Sequence, residues 1–112
     1  MIRLFGHAEI REAKAHAAAG GQALHVWQPT RVGWPGAPRV FRRAATAGES
    51  WAHLYDADIE RLIETARRLG VLRVVVHRAG QPGQHVDLCG RPLRRAMSQA
   101  GERGDPPSCA PS

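Results

Sequence analysis

The sequence predicts a small single-domain α/β protein, about three helices packed on a sheet of about three to five strands. Three observations lead there. The chain has 112 residues, and domains commonly run to about 100–150, so there is room for one hydrophobic core and not for two. Apolar residues make up 43% and charged residues 23%, the balance of a chain that collapses and folds. Segments with a helical repeat of apolar residues also alternate along the chain with short stretches rich in apolar and β-branched residues.

Met1 to Phe5 is short and apolar and opens the fold as a strand, half exposed because of Arg3. Ala8 to Ala19 is alanine-rich, the strongest intrinsic helix signal, and Gly20-Gly21 supplies the left-handed stop. Only Ile10 in it has a large apolar side chain, so this helix packs shallowly. Gln22 to Gln28 reads as a second strand ended by Pro29, and Thr30 to Pro38 as loop. Ser50 to Leu54 is a short strand leading to the clearest helix. Asp56 and Asp58 stand at its start, where carboxylates cap free N–H groups, and Ile59, Leu62, Ile63, Ala66 and Leu69 form one stripe that Gly70 ends. Val71 to His77 follows as a strand, with Val74-Val75-Val76 buried on both faces. Arg78 to Gln84 is a Gly/Pro loop, His85 to Leu88 a short strand, and Pro92 to Ala100 a last helix stopped by Gly101. The domain is expected to span 1–101, with 1–25 as an N-terminal extension packed on it and 102–112 as a flexible Pro-rich tail.

Sixteen basic residues stand against ten acidic ones, a net charge of +6, and Lys14 is the single lysine among the arginines. Arginine bias with abundant Ala and Gly is what a GC-rich genome produces, and it also suits a polyanion partner. The charge is segregated. Residues 31–43 hold Arg31, Arg39, Arg42 and Arg43 and no acid; 44–66 are net acidic; 67–95 hold seven arginines against Asp87 alone. Arg31, Arg39, Arg42 and Arg43 interleave with Trp34 and Phe41, the combination that follows a phosphate backbone while offering a ring for base stacking. Arg91, Arg94 and Arg95 extend the basic set into the last helix. A solvated basic surface with no partner accounts for the same residues.

No leader-like apolar stretch follows Met1, and the densest apolar run, Val71 to Val76, is interrupted by Arg73 and far too short to span a bilayer. The expectation is a cytoplasmic protein without a membrane partner. Cys89 and Cys109 fit neither a disulfide framework nor a zinc CxxC pattern, and read as free thiols in a reducing compartment. Nucleotide-fold readings fail, because Gly33-Trp34-Pro35-Gly36 and Gly80-Gln81-Pro82-Gly83 match neither phosphate-binding glycine pattern.

Six histidines remain, of which His53, His77 and His85 draw notice. Residues two apart on a strand share a face, so His85 and Asp87 present an imidazole and a carboxylate together. Such a pair binds a divalent metal with His53 as third ligand, acts as an oriented base, or forms a structural hydrogen bond; the spacing alone does not decide. His7, His16 and His25 read as surface or helix-flank residues.

His53-Leu54, then Glu60, Leu62, Ala66, Arg67-Arg68-Leu69-Gly70, and after a strand and loop His85-Val86-Asp87-Leu88, resemble a family of small bacterial and phage proteins catalogued as domain of unknown function 4031. The likeness spans about 51–97, and departs from the family pattern at Asp56-Ala57, at Val86 and at Val76-His77. It implies no activity, and it groups His53, His85 and Asp87 as one site. Two functional expectations from different classes lead, and a third stands beside them. One is a nucleic-acid- or phosphate-binding accessory protein using Arg31, Trp34, Arg39, Arg42, Arg43, Arg91, Arg94 and Arg95. The other is a metal-assisted hydrolase acting on a phosphate ester through His53, His85 and Asp87 with a divalent metal. A third makes the chain a protein-interaction subunit docking through the Trp34 loop.

Overall fold

The structure, a computed structural model, describes residues 2–27 and 51–101. Among these residues three helices lie on a five-stranded mixed sheet in the order β1-β2-β3-β5-β4. The strands are β1 (Ile2–Phe5), β2 (Gln22–Trp27), β3 (Trp51–Asp56), β4 (Val76–His77) and β5 (His85–Leu88); the helices are α1 (Ile10–Ala18), α2 (Ile59–Arg68) and α3 (Gly90–Gly101). β1 and β2 run parallel, as a crossover through α1 requires, and every other pair is antiparallel. Among the described residues no helix is long and apolar enough to cross a membrane.

Alternation along the strands separates two faces. One face carries Ile2, Leu24, Ala52, Leu54, Val86 and Leu88, which pack against Leu62, Ala66 and Leu69 at α2 and Leu93, Ala96 and Ala100 of α3. The other face receives α1. There Ala13 and Ala17 pack against Phe5, Ala23 and Tyr55. The expected shallow packing of α1 is found, through its alanines; Ile10 is more than a third exposed.

The junction between β3 and α2 is tied by charge. Asp56 is fully buried, yet its carboxylate accepts from Arg61 Nε (2.8 Å) and Nη2 (2.7 Å), from Gln22 Nε2 (2.9 Å) and from the Asp58 amide (2.9 Å). Burial pushes this carboxyl up, and the bonds from Arg61, Asp58 and Gln22 outweigh it, holding it below its ordinary value. Asp58, not Asp56, caps the helix, accepting from the Arg61 amide at 3.1 Å.

Residues 71–77 depart from expectation. Only Val76–His77 forms strand, Leu72 is fully exposed, Val75 is exposed, and Val74 is partly buried. After Gly70 the chain leaves α2 at the margin of the sheet, where among the described residues no further strand lies beyond β4 to cover a second apolar face. β3 runs two residues further than expected, to Asp56, because its partner Gln22 keeps it in the ladder. α3 starts at Gly90, two residues ahead of Pro92.

Candidate metal centre

The register of the sheet assembles the site. β3 and β5 pair His53 with Asp87 and Tyr55 with His85; β4 and β5 pair His77 with His85; β2 and β3 pair His25 with His53. All these residues share the α1 side of the sheet, opposite α2 and α3. Among the described residues a single carboxylate, Asp87, lies among the imidazoles.

Three Nε2 atoms meet it. His85 Nε2 is 3.3 Å and His53 Nε2 3.5 Å from Asp87 Oδ1, while His77 Nε2 is 3.3 Å from Oδ2. Ligand atoms of His53, His85 and Asp87 all lie within 4.8 Å of one another. The side chains of His85 and Asp87 are 14% and 13% exposed, that of His53 25%, and that of His77 43%, so the cluster is sheltered but open at the sheet margin.

The far side of each ring is held. His85 Nδ1–H donates to the Gly83 carbonyl at 2.7 Å, and a carbonyl can only accept. In the neutral ring Nε2 therefore turns a lone pair toward Asp87 Oδ1, which is buried and in that protonation state accepts no hydrogen bond from the described residues. Two facing lone pairs call for a proton or a metal ion between them. His53 Nδ1 lies 3.1 Å from the Tyr55 hydroxyl. Burial pushes the Tyr55 hydroxyl up, with Asp87 adding to it and Arg78 opposing, so it keeps its proton. Backbone carbonyl and hydroxyl partners of this kind fix ring orientation in metal sites.

Electrostatics match. Burial lowers His53 to about 4; Asp87 pulls upward, and His85, His25 and His77 push down again. Asp87 is raised by burial, but a hydrogen bond donated by the His85 ring, and then the charge that His53, His85 and His77 carry when protonated, hold it below the ordinary carboxylate value. A neutral imidazole beside an ionised carboxylate is the protonation state a metal ligand set requires.

The three expected residues His53, His85 and Asp87 are thus brought together by β3 and β5. Three more residues join them that the sequence did not group with the site, His77 among them although it drew notice. His77 was visible only as a strand end, and joins through the β4–β5 register; Tyr55 joins because it shares a face with His53. His25, expected at the surface, is buried: its Nε2 bonds the His7 carbonyl at 2.9 Å, and its ring stands 6.1 Å from that of His53. A lone histidine within Gln22–Trp27 carries no sign of which strand will pair with it.

Of the expected basic residues, Arg91, Arg94 and Arg95 lie on α3, across the sheet from the histidines. Arg91 and Arg94 are exposed, and Arg95 Nη1 donates to the Leu69 carbonyl at 3.2 Å, closing the end of α2. Arg31, Trp34, Arg39, Arg42 and Arg43 lie outside the described residues, as does the tail 102–112. Compared with known proteins, the chain matches no family model, no curated protein and no solved structure.

Proposed function

We propose that this chain binds one divalent first-row metal ion, zinc fitting best, through His53, His85 and Asp87, and uses it as a hydrolase acting on a phosphate ester. One observation carries the reading. A tetrahedral ion with bonds of about 2.0–2.1 Å has ligand-to-ligand edges of about 3.3–3.4 Å, and Asp87 Oδ1 stands 3.3 Å from His85 Nε2 and 3.5 Å from His53 Nε2. Those separations exceed the usual hydrogen-bond length of about 2.9 Å. Nitrogen-rich donors with one carboxylate favour zinc over magnesium or calcium, which prefer all-oxygen shells. Three protein ligands leave a fourth position for water, whose ionisation such an ion promotes. An ion held by His53, His85 and Asp87 would supply an activated water, whose oxygen would bond to phosphorus as the ester P–O bond breaks with its electron pair, the departing oxygen taking a proton from solvent water. His77, on the other carboxylate oxygen, orients Asp87.

Isothermal titration with zinc, followed by elemental analysis after desalting, tests this. The expected result is one zinc per chain, lost in Asp87→Asn and His85→Ala while circular dichroism stays unchanged. A folded wild-type chain that retains no stoichiometric zinc, manganese or cobalt overturns it.

A second reading has its own support on the opposite face. Arg67 and Arg68 end α2, Arg91 and Arg94 lie exposed on α3, and the Arg95–Leu69 bond joins the two helices there. That face suits a polyanion such as nucleic acid, with affinity falling steeply as salt rises. No binding to DNA or RNA at low salt dismisses it.

A further inference from the structure

Beside the histidine cluster, α1 and the 78–84 loop enclose a cleft of about 660 Å³, within the range of small-molecule pockets. Its walls are largely apolar. Ala15, Ala17 and Ala18 face Pro82 and Gly83, and the Tyr55 ring forms part of the lining. Two cations stand at it, Lys14 from α1 and Arg78 from the loop. Asp56 also lines it, but its charge is matched by Arg61. Among the described residues neither Lys14 nor Arg78 forms an ion pair.

Arg78 is also the one described non-glycine residue with left-handed backbone, φ 57°, a conformation uncommon for a residue with a Cβ and found where surrounding structure imposes it. Its Nε donates to the Pro82 carbonyl at 3.1 Å, across the turn, and its terminal nitrogens make no hydrogen bond to described residues. Lys14 Nζ sits 6.0 Å from the Tyr55 ring centroid. Both cations are thereby carried on held elements around one hollow, with donors to spare.

We infer that this cleft binds a small phosphomonoester, Lys14 and Arg78 holding its dianionic phosphate while its organic part lies on the alanine and proline wall. Charge favours the monoester: a diester brings one negative charge to two cations, a monoester two. Tyr55 belongs to both sites. Its ring lines the cleft, and its hydroxyl contacts His53 on the Nδ1 side, away from Asp87. The cleft is therefore a recognition subsite for a non-reacting phosphomonoester group on a substrate whose second phosphate ester would reach the neighbouring centre where the bond is cut. Its link to hydrolysis rests on the metal reading; its affinity for phosphate does not.

Calorimetric titration of glycerol phosphate and of inorganic phosphate, into metal-free and zinc-loaded protein, separates the two. Glycerol phosphate is expected to bind about ten-fold tighter than inorganic phosphate in both forms. Lys14→Gln and Arg78→Gln should each weaken it about ten-fold, the loss of one charge-assisted hydrogen bond, with zinc stoichiometry unchanged. Both side chains are exposed, so the variants keep the fold. Glycerol phosphate affinity unaltered by either substitution, or no better than that of inorganic phosphate, overturns the inference even if zinc binds. Failure of zinc to bind, with phosphate affinity still dependent on Lys14 and Arg78, overturns the metal reading alone.

Discussion

His53 and Asp87 make acid sensitivity a property of single side chains. Below about pH 6.5 an unfolded chain takes up a proton on His53 that the folded chain refuses until about pH 4, so unfolding gains ground as pH falls through that window. Asp87, held ionised in the fold below its ordinary value, acts in the same direction at lower pH: its contribution is present above the unfolded carboxyl value and is lost as the folded group protonates. Metal-free protein should show a urea midpoint that drops steadily from about pH 7 to about pH 4; a flat profile contradicts the burial of His53. Tyr55 contributes differently. Tyr55→Phe removes the hydroxyl that orients His53 while keeping the ring, so zinc affinity should fall about 10–100-fold with little change in stability. Zinc competition against a chromophoric chelator measures it.

Two aspartates two positions apart in sequence, Asp56 and Asp58, hold separate structural roles at the scale of elements. Asp58→Ala removes a cap and should cost about 1 kcal/mol. Asp56→Ala strips Arg61 and Gln22 of their shared acceptor and should cost about 3 kcal/mol, the lower end for a broken buried pair because Arg61 is partly solvated. Denaturant melts that find the two equal contradict the assignment. The sequence showed α2 plainly, since Leu62, Ala66 and Leu69 repeat at helical spacing and all are buried. It misled at 71–77, because three valines in a row read as buried strand wherever they fall, and burial depends on whether another strand stands alongside. The His85-x-Asp87 spacing was legible for the same reason that any i, i+2 pair on a strand is. His77, Tyr55 and His25 were not, because cross-strand register is set by pairings that local sequence does not encode.

The whole molecule divides its labour between faces. α2 and α3 and the larger core lie on one side of the sheet, and the alanine-faced α1, the histidines and the cleft on the other. A metal held by β3 and β5 binds only the folded chain, so zinc at about a hundred times its dissociation constant should add about 2.7 kcal/mol to stability. A thermal melt unmoved by zinc speaks against a preformed site. The same layout localises damage: core substitutions such as Leu62→Ala should unfold the domain by about 2–5 kcal/mol.

β4 has two residues and closes the sheet, and it carries His77, the most exposed of the three imidazoles around Asp87. An edge strand so short opens at little cost. The clamp on the carboxylate can then loosen while β3 and β5 remain paired, and an ion held there would exchange with the surroundings faster than its affinity alone suggests.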